Sequence, residues 1–138
     1  MIKQFWLNLP VKDIKKSMEF FGKIGFKFNT QYGSTDTSAC LLIGEKNVVV
    51  MLFEELAFKG FTNNEIADTL RGTEVLLSVD AQSKEEVDEM AQKAVDAGGE
   101  SLHKPGEMQS WMYGCVFTDI DGHRRNVLYM DMSKMPNG

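Results

Sequence analysis

The feature that most constrains this chain is one pattern that occurs twice. A short apolar strand leads into a capped helix, glycine closes the helix, and three strands follow. In the first copy, Phe5 to Val11 reads as the strand, with Pro10 restricted to an edge or a strand end. Asp13 caps a helix whose apolar stripe is Ile14, Met18, Phe21 and Phe20, and Gly25 ends it where the backbone turns left-handed. Strands are expected over 26–31, 39–43 and 48–53. In the second copy, Val75, Leu77 and Val79 alternate along a strand. Ser83-Lys84-Glu85-Glu86 has capping-box form and opens a helix that runs to Ala97, with Val87, Met90, Ala91, Ala94 and Val95 inward. Gly98-Gly99 closes it, and strands follow at 100–103, 113–119 and 124–130, the last two joined at Asp121-Gly122. Between the copies, Thr62-Asn63-Asn64-Glu65 also has capping-box form, which predicts a connector helix carrying Ile66, Ala67 and Leu70. The fold class expected is α+β: two paired βαβββ modules, about 1–58 and 73–138, with a connector helix at about 59–72, forming a curved sheet that encloses a cleft.

Composition narrows the partners. The 138 residues carry 15 basic and 20 acidic side chains, a net charge of −5. Residues 1–69 hold 8 of each sign, so the acidic excess lies in the second half. Nucleic acid is therefore not an expected partner, because phosphate binding needs a basic face. No apolar run approaches the roughly 20 residues of a membrane span. The first residues show no cleavable apolar segment, so the expected location is the cytoplasm. Cys40 and Cys115 lack CxxC spacing and read as reduced, buried thiols.

The order of motifs resembles the vicinal oxygen chelate superfamily, the group of glyoxalases, bleomycin and fosfomycin resistance proteins and extradiol dioxygenases. The resemblance rests on Leu9-Pro10-Val11-Lys12-Asp13 running into Ser17-Met18-Glu19-Phe20-Phe21, and on Gly25-Phe26. Leu77-Ser78-Val79-Asp80, Ala97-Gly98-Gly99 and Phe117-Thr118-Asp119-Ile120-Asp121-Gly122-His123 complete it. The resemblance implies a homodimer, and a divalent metal held by His and Glu. The four ligand positions fall here on Trp6, Met51, Glu74 and Asn126, of which only Glu74 is a good ligand for a hard cation. No metal and no other cofactor is expected. His103 and His123 map to no inward strand position and read as exposed or turn histidines, and Cys115 as a core thiol.

Strand alternation supplies the candidate site. Leu7, Leu9 and Val11 are assigned to the helix side, which leaves Trp6 and Asn8 on the concave side. The same parity assigns Met51 and Phe53, Glu74, Leu76 and Ser78, and Arg124, Asn126 and Leu128 to that side. Trp111, Met112 and Tyr113 are placed at its mouth. The resulting ligand set is Trp6, Asn8, Met51, Phe53, Glu74, Trp111, Tyr113, Arg124 and Asn126, mostly apolar and aromatic, as small-molecule pockets are. Glu74, expected among Trp6, Met51 and Asn126, would be desolvated and suited to general-base work or to a cationic ligand, unless Arg124 or a lysine pairs with it. Three functions follow. The first is a metal-independent binder of a small cationic or aromatic molecule. The others are a lyase, isomerase or dioxygenase relative with Glu74 as catalytic residue, and a non-catalytic interaction module. The alternative in which Trp6, Met51 and Phe53 merely fill the cavity stays open.

Overall fold

The computed structural model describes residues 1–136. The chain divides into two compact units, Met1–Asp68 and Thr69–Gly138. In unit 1 the elements are β1 (Leu7–Val11), α1 (Ile14–Lys23), β2 (Lys27–Asn29), β3 (Ser38–Ile43), β4 (Val48–Glu54) and α2 (Glu55–Thr62). In unit 2 they are β5 (Leu76–Asp80), α3 (Lys84–Asp96), β6 (Glu100–Gln109), β7 (Met112–Thr118) and β8 (Arg124–Met130). Each unit holds an open four-stranded mixed sheet, ordered β1-β4-β3-β2 and β5-β8-β7-β6. In each, the first strand runs parallel to the last and the other neighbours are antiparallel. The βαβββ order expected from sequence is thus the topology of both units. Pro10 lies in β1, an edge strand, where its missing N–H costs no ladder bond.

The helix starts are as the caps predict. Asp13 Oδ1 accepts from the backbone N–H of Lys15 at 3.0 Å and Lys16 at 3.2 Å. Glu54, at the end of β4, reaches 40 residues back to accept from Ile14 N at 3.0 Å, so a strand end supplies a second cap to α1. Ser83 Oγ accepts from Glu86 N, while the Glu86 carboxylate takes Gln82 N rather than Ser83 N, a capping box displaced by one residue.

The connector helix is where the sequence expectation fails. The helix spans Glu55–Thr62 and follows β4 directly. The Thr62-Asn63-Asn64-Glu65 motif ends it instead of opening one. Asn63 takes the left-handed conformation at φ 57 and donates its N–H to Lys59 O at 2.9 Å. Asparagine tolerates that conformation, so one motif serves as start or stop depending on what precedes it. Glu65 pairs with Lys59 at 3.1 Å rather than closing a box. Smaller differences lie in strand lengths: β1 begins at Leu7, β2 is confined to Lys27–Asn29, and β6 runs on to Gln109 through register shifts.

One face of each sheet is buried under one helix. In unit 1, Leu9, Val11, Ala39, Leu41, Val50 and Leu52 meet Ile14, Phe20, Phe21 and Ile24, all buried. Phe20 and Phe21 stand edge-on at 5.1 Å. In unit 2, Val87 and Ala94 of α3 are buried with Cys115, Phe117 and Val127. Val95, assigned inward from its spacing, is 43% exposed.

The turn before β8 is built on a buried charge pair. Asp119 Oδ2 binds the Arg125 guanidinium, and the two side chains are 2% and 4% exposed. Asp119 Oδ1 accepts from the N–H groups of Asp121 at 2.9 Å and His123 at 3.0 Å. Burial pulls the Arg125 pKa down from its ordinary value and the Asp119 charge opposes this. Asp119→Ala leaves a buried guanidinium without its counter-charge, and removing one partner of such a pair costs about 3–5 kcal/mol. Urea unfolding is expected to show this loss. It is expected to be smaller in a double variant, Asp119→Leu with Arg125→Met, because no charge then stays buried.

Candidate functional site

Strand parity puts Asn8, Met51, Phe53, Arg124 and Asn126 on the side of their own sheet away from its helix, whereas Trp6 and Glu74 lie outside the strands. In unit 1, Val50 and Leu52 face α1, so Met51 and Phe53 point the other way, with Cys40 the cross-strand partner of Met51 and Asn8 its partner on β1. Trp6 precedes β1 and is 50% exposed, and Asn8 is exposed. Met51 and Phe53 are half-buried, and each is covered from within the unit. A Cβ at Gly33, in the β2–β3 loop, would stand 3.3 Å from Met51 Sδ. The Phe61 ring of α2 stands edge-on to Phe53 at 5.2 Å. Trp6 is one of several open aromatic side chains of this unit, with Phe5, Tyr32 and Phe61, and Asn8 follows it on β1.

In unit 2 the same parity sets Arg125 and Val127 inward and Arg124, Asn126 and Leu128 on the other side. Two of these polar side chains are engaged within the unit. Ser78 Oγ, on the neighbouring strand, donates to Asn126 Oδ1. Arg124 Nη1 donates to Thr69 O at 2.7 Å and Gly122 O at 2.6 Å, and Thr69 Oγ1 donates to Asp121 O at 2.8 Å. Arg124 thus ties the start of the unit to the Asp121-Gly122 turn. Gly122 is needed there twice over, since its φ is +87 and a Cβ would collide with Thr69 Oγ1.

Glu74 corrects a sequence expectation. It was assigned to a desolvated setting, but it lies exposed just before β5. It makes no hydrogen bond or ion pair among the described residues, and Arg124 is committed elsewhere. The pairing that would have made it an ordinary structural acid is absent.

Tyr113 is a second correction. It shares a face with Cys115, which packs under α3, and not with Asn126. Its hydroxyl donates to Asp88 Oδ1 at 2.7 Å, and the Lys84 ammonium stands 5.4 Å from its ring centre. Trp111 occupies the β6–β7 turn, where its Nε1 donates to Gln109 Oε1 at 2.9 Å and its carbonyl accepts from Asp131 N at 2.8 Å. Trp111 and Tyr113 help line a cleft of about 80 Å³ with Lys84, Glu107, Tyr129 and Asp131, a grouping that strand alternation alone did not reveal. The signal that could have found it is the register: Tyr113 pairs with Tyr129 across β7–β8.

Metal chemistry does not fit these residues. Trp6 and Met51 offer no oxygen or imidazole, and the Asn126 oxygen is already a hydrogen-bond acceptor. Among the described residues no three His, Cys, Asp or Glu side chains converge to hold an ion. His103 is exposed, and His123 belongs to the turn, where its carbonyl accepts from Asp119 N at 3.0 Å. Cys40 and Cys115 are both free and buried, and burial pushes both thiols up from their ordinary pKa.

The model of the Glyoxalase/Bleomycin resistance protein/Dioxygenase superfamily matches residues 3–127. A hypothetical protein from S. aureus, of solved structure, superposes with a TM-score of 0.84 at 33% identity, covering 94% of this chain and 95% of that one. A glyoxalase/bleomycin resistance protein/dioxygenase family enzyme from Burkholderia phytofirmans PsJN gives 0.77 at 19% identity, covering 91% and 96%. The fosfomycin resistance protein FosX from Listeria monocytogenes, complexed with Mn(II) and sulfate ion, gives 0.66 at 22% identity, covering 94% and 92%. These last two likenesses speak to the fold alone. No curated protein matches the chain. No helix among the described residues is long and apolar enough to cross a membrane.

The Tyr113 setting yields a titration test. The hydrogen bond to Asp88, then burial and the Asp88 and Glu85 charges, raise the phenol pKa above its ordinary value. A raised pKa means that the folded chain holds this proton longer than the unfolded one. The stabilisation is complete below the unfolded pKa and is lost as pH rises through the folded one. Absorbance titration of Asp88→Asn is expected to show one tyrosine ionising at lower pH than in the parent protein. Superimposable curves would contradict the assignment.

Proposed function

The chain belongs to the Glyoxalase/Bleomycin resistance protein/Dioxygenase superfamily, and we propose that it acts within it as a metal-independent binder of a small organic molecule. The observation that carries this reading is the state of the polar groups in unit 2. Arg124 and Asn126 are engaged by their own unit, while Glu74 has an unpartnered carboxylate. A free carboxylate in place of a metal-binding imidazole favours a ligand that brings its own positive charge. In unit 1, taken by itself, Trp6 has half its surface open and offers a face for an aromatic or cationic group. Asn8, two residues on, adds a hydrogen-bonding amide, and Phe53 the apolar surface that Phe61 leaves open. A lyase or isomerase that used Glu74 as its base would need the carboxylate enclosed in the reacting complex, and in this chain it is exposed.

Family membership also supports a homodimer, located by preference in the cytoplasm. Sedimentation equilibrium at micromolar concentration is expected to give twice the 15.6 kDa of one chain, and a monomer would contradict that part of the reading.

Benzylamine and its neutral counterpart benzyl alcohol test the ligand reading. Benzylamine is expected to change the indole emission of the parent protein, and much less so that of Trp6→Phe, which leaves only Trp111. At Glu74, in unit 2, calorimetry is expected to show benzylamine binding more tightly than benzyl alcohol. Glu74→Gln should remove that difference, about fivefold, the upper worth of an exposed ion pair. Burial of the carboxylate would have made the effect far larger. Unchanged emission and unchanged melting temperature with both probes would overturn the binding role, and equal benzylamine affinity in Glu74→Gln would overturn the charge assignment.

A further inference from the structure

In unit 1 the segment 30–37, between β2 and β3, crosses the face of the sheet that α1 leaves uncovered. Every residue of this strap is exposed. Its apex is Gly33, at φ +81, where a Cβ would stand 3.0 Å from Cys40 Cβ and 3.3 Å from both Met51 Sδ and Met51 Cε. Cys40 shares its side of β3 with Leu42, which is half-buried, yet Cys40 is only 6% exposed. The strap is what covers it.

The attachments of the strap are polar. Asn29 Oδ1 accepts from the N–H groups of Gln31 at 2.9 Å and Tyr32 at 3.1 Å. Ser38 Oγ donates to Gly33 O at 2.8 Å and so fastens the apex to the sheet. Glu54 N donates to Thr37 O at 2.8 Å at the far end. No side chain of the segment is buried, so lifting it breaks no apolar packing of its own, and its hydrogen bonds pass to water at small net cost. Cys115 is the opposite case. It lies under α3, its Sγ 4.0 Å from Val87 O, and is reached only when helix and sheet separate.

We propose that residues 30–37 are a hinged cover, which opens while the rest of unit 1 stays folded and uncovers a floor made of Cys40 and Met51. Gly33 is the specificity-determining position. Closed, the strap leaves no room for a side chain there and restricts a ligand to Trp6 and the part of Phe53 that Phe61 leaves open. Open, it extends the apolar surface by the thioether of Met51. That consequence rests on the open face being a ligand surface, but the opening itself does not.

Thiol labelling of the intact chain with N-ethylmaleimide, read by peptide mass spectrometry, tests it, with Cys115 as internal reference. Cys40 is expected to react about a hundredfold faster than Cys115, as local opening outruns global unfolding. Its rate should change little with urea below the unfolding transition. Ser38→Ala, which removes the hydroxyl that meets both Gly33 O and Thr35 Oγ1, is expected to speed Cys40 labelling by at least about fivefold, the effect of one ordinary hydrogen bond, with Cys115 unaffected. Asn29→Ala, which loosens the first turn, should act in the same direction. Equal rates at the two cysteines, both following the urea dependence of unfolding, would overturn the proposal. So would variants at Ser38 and Asn29 that leave Cys40 labelling unchanged. A failure of benzylamine to bind, with Cys40 still opening locally, would remove the ligand role and leave the cover in place.

Discussion

One helix covers one face of each four-stranded sheet, and most of the structure follows from that arithmetic. A strand points alternate side chains to opposite faces, so the helix inside a βαβββ unit covers one face and leaves the other to be covered by other means. Unit 1 commits Leu9, Val11, Leu41, Val50 and Leu52 to the buried side, and unit 2 commits Cys115, Phe117 and Val127. The residues between them in sequence have only local means of cover. In unit 1 these are a polar strap over Cys40 and Met51 and the Phe61 ring on Phe53. In unit 2 they are cross-strand and turn hydrogen bonds, Ser78 to Asn126 and Arg124 to Thr69 and Gly122.

Satisfaction of polar groups then decides which of those residues is available for chemistry. Asp119 carries more than its charge pair: it accepts two backbone N–H groups and binds a buried guanidinium, which sets the turn that starts β8. With that turn fixed, Arg124 falls beside Thr69 and its Nη1 serves two backbone carbonyls. Glu74 is left unpartnered, not because it is shielded but because the nearest candidate in sequence pattern has another task. The Asn126 oxygen is occupied as well, so the open side of unit 2 offers no acceptor set that a hard cation would choose.

The βαβββ repeat and the buried face of most strands were legible in the sequence because they depend on local period and on capping residues. Asp13 and Ser83 cap as their side chains dictate. The helix after β4 was misplaced because Asn63 is equally suited to a left-handed stop, and only the preceding residues decide between the two roles. Tyr113 was placed at the mouth of the cleft from its position after the Pro105-Gly106 segment, whereas on its strand it alternates with Gly114 and lies with Cys115. The choice of acceptor by Arg124 was out of reach, since its partner Thr69 O lies 55 residues earlier in the chain. The strap over Cys40 was equally hidden: polar segments between strands look alike until Gly33 is seen against the sulfur of Met51.

The central claim is that these open faces take an organic ligand without the help of a metal ion. Native mass spectrometry of protein purified without chelator tests it directly. The account predicts a chain mass free of transition metal, alone or with a small organic adduct. Stoichiometric manganese, iron, nickel or zinc that is retained by the parent protein and lost on Glu74→Ala would contradict it.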